Sequence, residues 1–232
     1  MFAFITKEDY WRWLDLGLAD PANPSLKGIQ DGFARSLLGQ PRGLKIAEVG
    51  GGDSRVLKAI AADNECWNLD KFEGQGRGPT SIPFLRKIRV VPVYLGEFSP
   101  ALPDNHFDIV FSISVLEHIP KAKLPYAFRD MARILKPGGL CFHAIDLYLT
   151  AKPEERVTHA LNAYRDAAAQ PECSLTLVEP AVAVPPVVFD PAFATNPDIV
   201  LWQRNRIAPN LRDLRLRSQS VSLKTAWRKL AG

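Results

Sequence analysis

The stretch Lys45-Ile-Ala-Glu-Val-Gly-Gly-Gly-Asp-Ser-Arg-Val-Leu57 is a short apolar run that includes an acid and breaks into three glycines before a helical pattern begins. A strand, a turn of this kind and a helix bring the backbone close to a ligand. Glycine bends that sharply with no side chain in the way, and the helix offers its unpaired N–H groups there. The pattern suits a nucleoside-bearing ligand. Taken alone it fits an ordinary α/β turn equally well, so the surrounding residues decide between the two.

Downstream, apolar strand-like runs at 66–69, 89–93, 107–112 and 140–144 join the one at 45–49, with helical patterns at 54–62 and 124–135 between them. That alternation predicts an α/β fold with a doubly wound, mostly parallel sheet. Phe107-Asp-Ile-Val-Phe-Ser-Ile113 is apolar at consecutive positions, as a strand covered by helices on both faces requires. Upstream, residues 7–18 read as an aromatic helix carrying Tyr10, Trp11 and Trp13, and Asp20-Pro-Ala-Asn-Pro24 breaks it. A second helix at 26–38 stops at Gly39-Gln-Pro-Arg-Gly43. Residues 1–43 are therefore expected to form an N-terminal helical cap or lid, and 44–232 the domain proper with a basic C-terminal extension.

Two stretches lack regular pattern. The glycine-rich segment 71–83 follows the second strand on the ligand-binding edge, and 179–197 is too proline-dense for a central strand. Asn196-Pro197-Asp198 then predicts a helix through about residue 206, and 215–228 alternates as a strand.

Bulk properties bound the alternatives. The 232 residues are 47% hydrophobic and 23% charged, ordinary for a folded domain. The N-terminus lacks a signal-peptide pattern and no apolar run reaches the roughly 18 residues of a membrane span, so a cytoplasmic protein is expected. Cys66, Cys141 and Cys173 are far apart, which argues against a disulfide framework or zinc knuckle. The net charge of +4 is uneven: eight lysines and arginines from Arg204 onward face only Asp213. Such a segment suits an anionic partner or a solvated edge.

Further motifs narrow the cofactor. Asp70 ends the second strand, 18 residues beyond Gly52, where a carboxylate accepts hydrogen bonds from ribose hydroxyls. Nicotinamide enzymes share that feature. Leu102-Pro-Asp-Asn-His-Phe-Asp-Ile-Val-Phe-Ser-Ile-Ser-Val-Leu-Glu-His-Ile-Pro120 followed by Met131-Ala-Arg-Ile-Leu-Lys-Pro-Gly-Gly-Leu140 closely resembles instead the class I S-adenosylmethionine (SAM)-dependent methyltransferases, particularly the type 11 group. The resemblance spans about residues 45–145 and implies a seven-stranded, Rossmann-like methyltransferase fold. It departs at Ser54, where the family's glycine-rich motif has its last glycine; a serine there also caps a helix.

The resemblance implies that Glu48 braces the turn and faces the methionine amino group, and that Gly50, Gly51 and Gly52 pack against SAM. It further implies that Asp70 holds the ribose, Glu97 the adenine amino group, and Ser112 and Ile113 border the methionine. Glu117-His118 and His143-Ala-Ile-Asp146 follow the fourth and fifth strands. The latter resembles segments of methyltransferases acting on sugar hydroxyls.

His118, His143 and Asp146 are thus the expected catalytic residues, with Glu117 and Asp146 the natural oxygen ligands if magnesium assists. The leading expectation is an O-methyltransferase acting on a hydroxyl of a saccharide or glycoconjugate, in a setting such as methylated-polysaccharide synthesis. The Asn/Asp-Pro-Pro-aromatic motif of amide methylation is absent after the fourth strand. RNA or a small amine is the alternative acceptor. Nucleic acid is disfavoured without a recognisable RNA-binding module, though the basic segment leaves it open. A SAM-binding regulator without turnover stands further off, and a homodimer is compatible with the sequence.

Overall fold

A computed structural model describes residues 1–74, 78–179, 187–196, 212, 214 and 216–231. The chain opens with β1 (Phe2–Phe4), α1 (Lys7–Asp15) and α2 (Leu26–Leu38). It continues through β2 (Lys45–Val49), α3 (Arg55–Ile60), β3 (Glu65–Leu69), β4 (Ile88–Val91) and β5 (Phe107–Ile113). The last elements are α4 (Leu124–Ile134), β6 (Leu135–Leu149), α5 (Glu155–Ala168), β7 (Leu175–Leu177) and β8 (Gln219–Lys229).

Among the described residues, eight strands form one sheet in the order β1-β8-β6-β5-β2-β3-β4, with β7 also on β8. From β4 to β6 every pairing is parallel, whereas β8 runs antiparallel to β6, β1 and β7. The expected Rossmann-like architecture is present, one strand larger than the seven predicted. β1 and β7 have three residues each, too few to show a period-2 pattern. Helix α5 was also unread, although Val157, Leu161, Tyr164 and Ala168 repeat at helical spacing and are buried.

Helices α4 and α5 cover one face, where Phe128, Met131, Leu161 and Tyr164 pack with Val110, Ile145 and Trp227. On the other face, α1, α2 and α3 bring Trp13, Ile29, Phe33 and Leu57 against Ile46, Phe111 and Phe142. Residues 1–43 therefore do not stand apart as a cap or lid. β1 pairs with β8, and α2 is part of the layer on the sheet, because its buried face is continuous with the core. Residues 6–9 start α1 with a capping box in which the Thr6 side chain and the Asp9 backbone, and the Asp9 side chain and the Thr6 backbone, bond reciprocally.

The helix expected from 197 to 206 lies outside the described residues. The C-terminal strand begins at Gln219 rather than 215, since Leu216 and Arg217 are helical. Its cations are used within the fold. Lys224 bonds Asp9 at 2.5 Å, Arg228 donates to the Gly138 carbonyl at 2.8 Å, and Lys229 donates to the Ala132 and Leu135 carbonyls at 2.7 Å each.

Candidate functional site

Strand order reverses around β2, which has β3 on one side and β5 on the other, and the carboxyl ends of these strands open into a cleft of about 850 Å³. A doubly wound sheet binds ligands at such a switch point because the loops leaving neighbouring strands diverge there. Glu48, Gly50, Gly51, Gly52, Asp70, Glu97, Ile113 and His118 all line this cleft.

Backbone conformation explains the glycines. Gly50 sits at φ +65°, and a Cβ there would lie 2.5 Å from Val115 Cγ2. A Cβ on Gly51 would lie 2.7 Å from Asn68 Oδ1. The turn leaves no room for side chains on its inner side, so the cleft wall is bare backbone, as a ligand approaching closely requires.

Ser54, the departure from the glycine pattern, caps α3 by accepting from the Leu57 amide at 2.9 Å and donates its hydroxyl proton to Glu48 Oε2. Burial pushes the Glu48 carboxyl up to about 7; the Ser54 bond opposes this, and Asp31 adds to it. A cationic ligand group beside Glu48 restores the ionised form. Across the turn, Asp31 of α2 holds Arg55 bidentately, at 2.7 and 2.9 Å.

Asp70 accepts from the Gly52 amide at 3.0 Å and from the Phe72 amide at 2.8 Å, so it ties the glycine turn to the loop after β3. Beyond β4, Tyr94, Leu95, Gly96 and Glu97 complete that end of the cleft.

At the other end, Lys27, Ser114, His118 and Ile119 form the wall. Ser114 stands at φ +53°, and its hydroxyl lies 2.8 Å from Gln30 Oε1 and 2.7 Å from Asp146 Oδ1. The Gln30 amide donates to Asp146 at 2.5 Å and to Ser222 at 3.0 Å. Asp146 is thus a bonded member of a network behind the cleft wall rather than a residue of the wall itself. Lys27 and Gln30 lie outside every motif of the sequence, because α2 reaches the site only through its packing on the sheet, whereas Ser114 stands inside the Leu102–Pro120 motif with no role assigned to it. The His118 pKa is lowered by partial desolvation; Asp146 opposes this and Lys27 reinforces it.

Three expected residues face elsewhere. The His143 ring is fully buried, with Nδ1 2.8 Å from Ser112 Oγ and Nε2 3.2 Å from Cys141 Sγ, against Phe128 and Trp227. Burial pushes its pKa down to about 3, so it is a neutral core residue. The reason is strand parity. Positions three apart in a strand point to opposite faces, so Asp146 turns toward Gln30 of α2 while His143 turns toward α4. Ser112, paired in register with His143, takes the same buried face and does not border the cleft. Sequence spacing already held this parity.

Glu117 does not line the cleft either. Its two carboxyl oxygens are buried with no hydrogen-bond partner among the described residues, and burial, then Asp146, push it up to about 8. No group of three His, Cys, Asp or Glu side chains able to hold a metal ion occurs among the described residues. With Asp146 Oδ1 already taken by Gln30 and Ser114, the Glu117–Asp146 pair does not fit the expected magnesium site.

Residues 47–143 match the model of a methyltransferase domain family. No curated protein matches the chain. Among solved structures, a sarcosine dimethylglycine methyltransferase from Galdieria sulphuraria, assigned as such provisionally, aligns over 96% of this chain and 98% of its own with 14% identity and a TM-score of 0.55. The geranyl diphosphate C-methyltransferase of Streptomyces coelicolor aligns over 85% and 77%, with 13% identity and a TM-score of 0.54. The N-methyltransferase NodS of Bradyrhizobium japonicum, solved with S-adenosylhomocysteine (SAH), aligns over 95% and 98%, with 14% identity and a TM-score of 0.52. At these identities the likeness is one of fold. Among the described residues no helix is long and apolar enough to cross a membrane. The acid-and-glycine turn, Asp70 and the strand Phe107–Ile113 all lie within residues 47–143, the part of the chain that is similar to the methyltransferase domain family.

Proposed function

We propose that this enzyme moves the methyl group of SAM to a hydroxyl of a saccharide or glycoconjugate, as in the synthesis of a methylated polysaccharide. The observation that carries the proposal is His118, an imidazole on the cleft wall whose lowered pKa leaves it neutral and able to accept a proton at neutral pH. Around it, Lys27 and Ser114 supply hydrogen-bonding groups on the cleft wall, and the Gln30–Asp146 network behind the wall holds Ser114 in place, which suits a polyhydroxyl acceptor.

In this reading Glu48 faces the methionine ammonium, Gly50, Gly51 and Gly52 pack on the cofactor, Asp70 takes the ribose hydroxyls, and Glu97 takes the adenine amino group. Bound there, SAM would supply a methyl group already activated on a sulfonium, with the thioether as leaving group, so what the chain has to do is align the acceptor oxygen with the methyl–sulfur bond. His118 takes the hydroxyl proton during attack and releases it to solvent. Ile113 and Ile119 keep water from the transfer path.

Glu117 and Asp146 favour a second reading. An acid pair behind the acceptor wall is relieved by a cation, which suits a small amine as acceptor. One experiment separates these. The protein is incubated with methyl-labelled SAM and a panel of glycans, small amines and RNA. Label in glycans is expected; label confined to amines selects the second reading, and label confined to RNA overturns both.

A further inference from the structure

Asp130 lies on α4, outside every motif used above, and its side chain is fully buried. One of its oxygens, Oδ2, accepts from two backbone amides of the cleft turn, Gly96 at 2.8 Å and Phe98 at 3.0 Å. The other, Oδ1, accepts from Arg133 Nε at 3.0 Å and Nη2 at 2.8 Å. Arg133 is itself held by the Leu102 carbonyl at 2.7 Å and by Asp104. The carboxylate is therefore saturated, and it joins a helix to a turn 32 to 34 residues earlier in the chain.

That turn needs holding. Gly96 lies at φ +97° and Phe98 at φ +53°, the second unusual for a residue with a side chain. Gly96 also sits directly on α4: a Cβ there would lie 3.0 Å from the Ala127 nitrogen and 3.2 Å from Tyr126 Cβ. Outside the turn, the Arg129 guanidinium lies 4.7 Å from the Tyr126 ring centre and 6.0 Å from that of Phe98. Between these two residues stands Glu97, exposed and lining the cleft. A free turn of this sequence samples many orientations of Glu97. Two amides fixed on one buried oxygen select one of them.

We propose that Asp130 is a positioning residue for the cofactor: it locks the 96–98 turn so that Glu97 meets the adenine amino group, and so sets both SAM affinity and selectivity for adenine. The inference rests on the reading of Glu97 as the adenine-facing acid. It assigns Asp130 no contact with SAM and no part in the transfer step, so the effect falls on cofactor binding and not on turnover.

The test uses the full chain and SAH as probe, with its 6-oxo analogue S-inosylhomocysteine as the selectivity control. Calorimetry on Asp130→Asn is expected to show SAH bound about tenfold more weakly. Preference for SAH over the analogue should shrink toward that of Glu97→Gln, and kcat at saturating SAM should stay within about twofold. The Asp130→Asn and Glu97→Gln effects should be less than additive, because both remove one interaction. A second variant, Asp130→Glu, keeps the charge and is expected to recover part of the affinity.

SAH affinity and selectivity left intact in Asp130→Asn overturn the proposal. A loss of affinity with selectivity retained also overturns it, since that is what general loosening of the fold produces. If Glu97→Gln itself leaves selectivity unchanged, the adenine reading of Glu97 fails and this inference fails with it. Normal Glu97 dependence with an inert Asp130 sinks the inference alone.

Discussion

The two ends of the cleft are built on different principles. The end proposed for the nucleoside is built around backbone: the glycine turn after β2, Asp70 after β3 and the Gly96–Phe98 turn after β4 are each set by conformation and by bonds to main-chain amides. The end proposed for the acceptor is made of side chains from distant elements, Lys27 of α2 and Ser114 and His118 after β5, with Gln30 of α2 and Asp146 of β6 bonded behind them. A backbone-built end serves any chain that binds the same nucleoside, whereas a side-chain-built end varies without disturbing the fold.

Substitutions sharpen the contrast, starting with the largest effect. His118→Gln should lower kcat for a hydroxyl acceptor by about 100-fold or more, the usual worth of a general base, while SAH affinity from calorimetry stays unchanged. Retained kcat would mean that the proton leaves by another route. At the opposite end, Gly50→Val combines a positive φ with the 2.5 Å approach to Val115, and SAH affinity should fall on the order of 100-fold. Asp70→Ala removes the acceptor of two amides and the proposed ribose partner, so a loss of about tenfold or more in SAH affinity is expected, with acceptor KM unaffected.

A smaller effect is expected from pH. Because the folded Glu48 holds its proton up to about 7 while an unfolded glutamate loses it near 4.5, the free protein should lose thermal stability as pH rises through that window. SAH, whose ammonium favours ionised Glu48, should bind a few-fold more tightly at pH 8 than at pH 6, and Glu48→Gln should flatten both trends. The smallest functional effect belongs to His143. His143→Asn leaves Ser112 and Cys141 without their buried partner and should cost about 1–3 kcal/mol, read as a lower melting temperature. Its kcat, measured well below that temperature, should remain near that of the unaltered protein. A large fall in kcat would return His143 to the chemistry.

The contrast also explains what was legible in the sequence. Strands 45–49 and 107–113 and helices 26–38 and 124–134 were readable to within a residue or two, since they carry unbroken apolar runs or clear helical spacing between strong stop signals. β1, with three residues, shows no period, although it forms a sheet edge. In the cleft, the glycines and Asp70 announce themselves because their roles follow from local conformation. His143 misled because proximity to a strand end was read without parity, and residues three apart in a strand face opposite ways.

By itself the sequence determined the order of elements from β2 to β6, their parallel sheet, the glycine turn and the acid at the end of β3, because each depends on local propensity and period over a few consecutive residues. Tertiary structure alone decided that α2 brings Lys27 to the cleft wall and Gln30 behind it, and that Asp130 pins a turn more than 30 residues away. Those facts depend on how helices pack across the sheet, and packing joins residues whose separation along the chain leaves no periodic trace.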